Sequence, residues 1–327
     1  MIQIPRLRFA HLPTPIEPMP RLSAALGGPA LWIKRDDQTG LALGGNKTRK
    51  LEYLVAEAQA NGARTLITAG AVQSNHCRQT AAAAARFGYG CILVLYGDKP
   101  DEINGNLLLD SMLGAEIVWT TRLQRDETLK AAFDRAWADG KRPYLIPYGG
   151  SSPAGAAGYV TAMGELMQQC KHEDIPSFDQ VVFASSSGGT HAGLALGARL
   201  YAYPGRVLGI SIDEQEAVLQ QRVAALATHT AELLGEQLTF TAADLHVNAS
   251  DLGGGYGVMD QPEEEAIHLF AHYEGVLLDP VYTGRCAAGL VDLIRGGKFR
   301  KDETILFWHT GGAPALFVDR YRQRLVT

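Results

Sequence analysis

The chain has 327 residues, 46% hydrophobic and 20% charged, enough apolar material for a sizeable core and a length that suggests two domains. Its formal charge of −5 comes without a basic block, and its four cysteines are scattered; a nucleic-acid partner, a zinc site and a disulfide framework are therefore not expected. No apolar run reaches membrane-spanning length and the start carries no signal-peptide pattern, so no membrane partner and a cytoplasmic location are expected, while 36 glycines without a G-X-Y period exceed the usual ~7% share and ask for an explanation.

In chain order, Ala30–Lys34 reads as a strand. Gly44-Gly45-Asn46-Lys47-Thr48-Arg49-Lys50 then opens an amphipathic helix, with Leu51, Leu54, Val55 and Ala58 on one stripe and Gly62 closing it. Asn46 separates Gly45 from Lys47, so this is not a nucleotide P-loop, which needs Gly directly before its Lys. A lysine beside a glycine pair has little steric cover. That suits Schiff-base chemistry, although a solvated lysine in a first helical turn has the same local pattern.

From Thr65 to Gly150 short apolar runs alternate with helical stretches. The strands are Thr65–Ala69, Cys91–Tyr96, Glu116–Thr120 and Pro143–Tyr148; the helices are Gln79–Phe87, Asn104–Met112 and Asp126–Asp139. Such a rhythm predicts βαβ units around a parallel sheet, with ligands beyond the carboxyl ends of the strands. Gln73-Ser74-Asn75-His76 sits at one such end and opens a helix. It offers donors for a carboxylate, or an ordinary N-cap.

A second set of strands follows at Val181–Ala184, Val207–Ile212, Gly275–Leu278 and Thr304–His309. Between the first of these and the next helix lies Ser185-Ser186-Ser187-Gly188-Gly189-Thr190, a cradle for a single phosphate at a helix N-terminus. Its glycines are adjacent, so it is not the GxGxxG of a dinucleotide-dependent oxidoreductase. Hydroxyls stand at two more strand ends, in Tyr282-Thr283-Gly284 and His309-Thr310-Gly311-Gly312, and Tyr256 lies in the glycine-rich stretch 253–257. A reachable lysine, a one-phosphate cradle and a carboxylate site together match pyridoxal phosphate acting on a small amino acid.

Taken with Lys34-Arg35-Asp36-Asp37, Ser187-Gly188-Gly189-Thr190-His191, Leu278-Asp279-Pro280-Val281-Tyr282-Thr283-Gly284 and the segment from His309 to Phe317, these motifs resemble the D-cysteine desulfhydrase and 1-aminocyclopropane-1-carboxylate deaminase family. That family belongs to the fold-type II pyridoxal phosphate enzymes, similar to the tryptophan synthase β chain. The resemblance implies an α/β fold of two open, mostly parallel sheets. Residues 1–47 and 164–327 would form a large cofactor domain, residues 48–163 a small one, with the site between them and a homodimer as the assembly. It also implies that Lys47 carries the cofactor, and that Ser187, Gly188, Gly189 and Thr190 hold its phosphate. Gln73, Ser74, Asn75 and His76 would face the substrate, with Asn75 also touching the cofactor. Tyr256 and Tyr282 would line the substrate side, and Thr283 or Thr310 would meet the ring nitrogen. The family's deaminases carry Glu after the tyrosine where this chain has Thr283. The expected reaction is therefore β-elimination from D-cysteine, with cyclopropane ring opening and sulfite elimination from L-cysteate as alternatives.

Overall fold

In the computed structural model, which describes residues 2–172, 175–250 and 252–326, the chain builds two sheets. The strands are β1 (Ile16–Pro18), β2 (Ala30–Arg35), β3 (Thr65–Ala71), β4 (Gly90–Tyr96), β5 (Glu116–Thr120) and β6 (Pro143–Leu145), then β7 (Gln180–Ser185), β8 (Arg206–Ser211), β9 (His246–Asn248) and β10 (Thr304–His309). The helices are α1 (Pro20–Leu26), α2 (Asn46–Ala60), α3 (Asn75–Phe87), α4 (Gly105–Met112), α5 (Arg125–Ala138) and α6 (Pro153–His172). They continue with α7 (Gly189–Leu200), α8 (Glu216–Leu233), α9 (Gln261–Glu274), α10 (Thr283–Arg295) and α11 (Asp319–Leu325).

One sheet has six strands in the order β1-β2-β10-β7-β8-β9, and the other has four in the order β5-β4-β3-β6. All pairings are parallel except β1 with β2. Parallel strands buried on both faces read as continuous apolar runs whose alternate residues serve opposite layers. In the six-stranded sheet Val182, Ile305 and Phe307 pack against α9 and α10 through Ile267, Phe270, Leu290 and Ile294. Their neighbours Val181, Phe183, Leu306 and Trp308 face Tyr159, Met163, Leu166 and Leu194 of α6 and α7. The smaller sheet divides in the same way: Leu66, Leu93 and Leu95 meet α2 and α3, while Ile67, Ile92 and Val94 meet Ala132 and Ala136 of α5.

Four elements differ from the sequence reading. Gly275–Leu278 is not a strand: Gly275 is the left-handed C-cap of α9, with φ 65°, and Val276 and Leu278 are buried without ladder partners in the sheet. Their apolar side chains fill the layer beside β10, which already has β2 and β7 as its two neighbours. The run Pro143–Tyr148 is strand only as far as Leu145. Pro147 then precedes a tight turn over Tyr148–Gly150, with Gly149 at φ 64°. The short strands β1 and β9, each of three residues, carry too little pattern to be read. The expected boundary at residues 163–164 falls inside the continuous helix α6.

Candidate active site

The loops after β3, β6, β7 and β10 converge on one cavity with the start of α2. Asn46, Lys47, Ser74, Asn75, His76, Tyr148, Gly149, Ser185 to Gly188, Thr190, His191, Tyr282, Thr310 and Gly311 line it. This is the crevice beyond the strand ends where parallel sheets take their ligands.

Lys47 is the second residue of α2, and the turn before it is held from several sides. Gly45, with φ 123°, donates its N–H to Asp36 O at 2.9 Å and to Thr39 Oγ1 at 2.8 Å. The Asn46 N–H donates to Thr310 O at 3.0 Å, joining the lysine turn to the end of β10. A Cβ on Gly44 would fall 1.9 Å from Asp37 O, and one on Gly311 would fall 2.7 Å from Gly45 Cα. Two glycine pairs thus pack backbone to backbone, which a side chain would prevent.

One layer behind this turn lies a buried ion cluster. Arg49 donates to both Asp36 oxygens at 2.8 Å and to both Glu165 oxygens at 2.9 Å. Lys34 Nζ reaches Glu165 at 2.8 Å and Gln169 at 2.6 Å, and Tyr159 OH donates to Asp36 at 2.5 Å. The cluster ties α2 to the end of β2 and to α6. Burial alone would raise the Glu165 carboxyl, but Arg49 and Lys34 outweigh it and bring it down to about 2.

Burial lowers the Lys47 amine to about 8. Lys50, one turn on, is fully buried with Nζ on Gly149 O at 3.1 Å, and burial and the Lys47 charge push it well below its ordinary value. His76 stays neutral, lowered by burial and then by both lysines. Its Nε2 lies 2.8 Å from Thr68 Oγ1, and its Nδ1 is buried without a partner. Here a neutral amine is easier to obtain than in water.

At the other end of the cavity Gly188, with φ 93°, caps α7. The Gly189 N–H donates to Ser151 Oγ at 3.0 Å, and Ser151 Oγ donates to Ser187 Oγ at 2.8 Å. Thr190 Oγ1 accepts from Asn46 Nδ2 at 3.1 Å. A Cβ on Gly189 would stand 2.6 Å from Ser151 Oγ and 2.9 Å from Lys50 Nζ. His191 Nδ1 meets Ser185 Oγ at 3.1 Å, its Nε2 is buried without a partner, and burial lowers the ring to about 3.

The residues singled out from sequence do not all reach the cavity. Lys47, Ser74, Asn75, His76, Ser187, Gly188, Thr190, Tyr282 and Thr310 line it. Ser74 also caps α3, accepting the Cys77 N–H at 3.2 Å. Gly189 stands behind, its N–H taken by Ser151. Tyr256 faces an adjoining cleft with Gln73, but its OH lies 2.6 Å from Tyr282 OH, with the rings edge-on. Gln73 Oε1 accepts the Asn106 N–H at 2.7 Å at the start of α4. Thr283 is turned away: its Oγ1 donates to Asp279 Oδ1 at 2.8 Å and accepts the Asp279 N–H at 2.7 Å. Of the two candidate threonines, Thr310 alone lines the cavity.

Tyr148, Lys50 and Ser151 are the lining or supporting residues that sequence reasoning missed. Tyr148 OH lies 3.0 Å from Tyr96 OH, with the Arg125 guanidinium 5.2 Å above its ring. Pro147 and the pair Gly149-Gly150 were the available signal that the strand had already ended there.

The phosphate-sized cradle at a helix N-terminus, the lysine of lowered pKa opposite it and the orphaned His76 Nδ1 fit a phosphate-bearing, amine-reactive cofactor. The family model for pyridoxal-phosphate dependent enzymes matches residues 7–311, and the chain belongs to that family; its cofactor is pyridoxal phosphate. Among curated relatives it is 47% identical to a D-cysteine desulfhydrase of Salmonella typhimurium, over 97% of both chains, and 46% identical to that of Salmonella typhi over the same shares. A crystal structure described as an ACC deaminase homologue superposes with a TM-score of 0.89 at 39% identity, covering 99% of this chain and 96% of that one. A threonine deaminase of Solanum lycopersicum, at 19% identity and a TM-score of 0.66 over 96% of this chain and 82% of that one, shares the fold.

Proposed function

We propose that this enzyme is a carbon–sulfur lyase that converts D-cysteine and water to pyruvate, hydrogen sulfide and ammonia. The observation that carries this reading is the composition of the cavity wall, which has one reachable primary amine, hydroxyls, amides and two histidines and, among the described residues, no carboxylate. A hydroxyl such as that of Thr310 cannot hold a pyridine nitrogen protonated as a carboxylate can. Elimination tolerates this because the thiol leaves from Cβ and drains the electrons, whereas opening a cyclopropane has no such outlet. Strong identity to two curated D-cysteine desulfhydrases supports the same substrate.

When bound, pyridoxal phosphate supplies an electron sink conjugated to the substrate amine. Lys47 would be its attachment point, Ser187, Gly188 and Thr190 would hold its phosphate with Gly189 close-packed behind them, and Thr310 would meet its ring nitrogen. Ser74 and Asn75, at the start of α3, receive the substrate carboxylate with the help of the helix N-terminus. Lys47, lowered to about 8, takes the Cα proton. Tyr282 keeps its phenolic proton, because burial and the neighbouring tyrosines raise its pKa, and it donates to the departing sulfur with Tyr256 behind it. Gln73 acts from behind, holding α4 against this loop.

We further infer a cytoplasmic homodimer. We also infer two domains, with residues 1–47 and 164–327 in one and 48–163 in the other. The make-up of the six-stranded sheet, drawn from both ends of the chain, supports this division. A pyruvate and sulfide assay across D-cysteine, L-cysteate and the cyclopropane amino acid tests the function. D-cysteine is expected to be turned over fastest; fastest turnover of the cyclopropane would overturn the argument from the missing carboxylate.

A further inference from the structure

Arg78, on α3, is fully buried and touches no carboxylate among the described residues. Its Nη2 donates to Gly44 O at 2.8 Å, and its Nη1 donates to Asn106 Oδ1 at 3.1 Å and, at 3.5 Å, to Asn75 Oδ1. The nearest acids, Asp110 and Asp279, act on it through space and not by direct contact. Asp110 makes no hydrogen bond to Arg78 or to any other described residue, and burial raises its carboxyl to about 8, so that it is largely neutral at pH 7. Asp279 is occupied by the N–H groups of Val281, Tyr282 and Thr283 and by the Thr283 hydroxyl. A buried cation without an ion-pair partner is costly and asks for a reason.

The hydrogen bonds supply one. Asn106 Nδ2 lies 2.9 Å from the backbone carbonyl of Gln73, which can only accept, so this atom is the amide nitrogen. Asn106 Oδ1 therefore faces Arg78, which can only donate. The same Asn106 Nδ2 lies 2.8 Å from the Asn75 side chain, so the Asn75 atom on that side is its oxygen. Asn75 Nδ2 is left without a partner among the described residues, on a side chain that lines the cavity.

We propose that Arg78 is a positioning residue for the substrate carboxylate. With Asn106 it fixes the Asn75 amide so that its NH2 faces the cavity, and it places an unpaired positive charge one layer beneath the carboxylate site. This rests on the reading that Ser74 and Asn75 receive that carboxylate. Arg78 also donates to Gly44 O, but the lysine turn is held independently by Asp36, Thr39 and Thr310, so losing the guanidinium leaves Lys47 in place.

The test uses Arg78→Met and Arg78→Lys as holoenzymes, with cofactor content read from absorbance. It follows KM and kcat for D-cysteine, and binding of D-alanine and of ethylamine through the cofactor spectrum. Arg78→Met is expected to raise KM and the D-alanine Kd about 10- to 100-fold, the range for losing a charge-assisted contact. Its kcat should change less than threefold, and ethylamine, which lacks the carboxylate, should bind as before. Arg78→Lys keeps the charge but cannot reach Gly44 and Asn75 together, and should fall between. Should Arg78→Met fail to fold, a three- to tenfold rise in KM for Arg78→Lys at near-normal kcat still supports the proposal. Unchanged KM and Kd in either variant, or equal weakening of ethylamine, would overturn it. If the parent enzyme ignores D-cysteine, the substrate assignment fails while the D-alanine comparison still decides the role of Arg78.

Discussion

Replacing Arg49 with Met removes the central cation of the buried cluster behind Lys47. Asp36 is then left fully buried with only the Tyr159 and Thr14 hydroxyls, and Glu165 keeps Lys34. Breaking a buried ion pair from one side costs about 3–5 kcal/mol. With an unfolding entropy near 2.1 cal/mol/K per residue, a cooperative transition of this chain should lose about 4–7 °C in Tm. The pH dependence identifies the cause. In the parent protein Asp36 and Glu165 titrate below their ordinary values. Their contribution is therefore complete above pH 4.5 and lost as pH falls toward about 2. In the variant only the more distant Lys34 charge and the Tyr159 and Thr14 hydroxyls still offset the burial of Asp36, so its folded-state pKa rises and protonation relieves the folded state. The deficit should therefore be largest at neutral pH and shrink as pH falls toward 3. Urea denaturation followed by circular dichroism at pH 7, 5 and 3.5 measures it. A deficit below 1 kcal/mol at pH 7, or one that does not vary with pH, would refute the reasoning.

Three further outcomes follow from the site. Thr310→Val should cut turnover about tenfold with little change in unfolding midpoint, whereas Thr283→Val should cost about 1–3 kcal/mol of stability through its lost bonds to Asp279; the reverse pattern would exchange their roles. Gly189→Ala should weaken cofactor binding at least tenfold, because its Cβ must displace Ser151 Oγ or Lys50 Nζ; equilibrium titration of the apoprotein checks this. Since an amine attacks an aldehyde only when neutral, cofactor loading onto the apoprotein should accelerate with pH and reach half its maximum near 8, against ~10.4 for an ordinary lysine, as stopped-flow absorbance would record.

Much of this was legible in the sequence because the long parallel strands carry unbroken apolar runs and the loops after them carry glycine and hydroxyls. Gly44-Gly45, Gly149, Gly188 and Gly311 do gather around or directly behind the cavity, which accounts for part of the glycine excess. Gly253 to Gly255 do not line it; Arg285 grips that stretch through Gly255 O at 2.9 Å and Val258 O at 2.7 Å. What stayed hidden depended on contacts between distant segments. Thr283 and Thr310 have similar local surroundings in the sequence, and only the fold shows that Asp279 claims one hydroxyl and leaves the other free. The ion cluster draws Asp36, Arg49, Tyr159 and Glu165 from three elements, and no periodicity signals such a meeting.

The position of β10 bears on how the enzyme is made. This strand lies between β2 and β7 although it is the last in the chain, and the carbonyl just past it anchors the Asn46 N–H at the start of the lysine helix. While the chain is being synthesised, the six-stranded sheet lacks its middle and the lysine turn lacks one wall until residue 311 has emerged. Long-range pairing of this kind is closed late. A chain cut before β10 therefore presents Lys47 without one wall of its pocket, and should capture cofactor poorly.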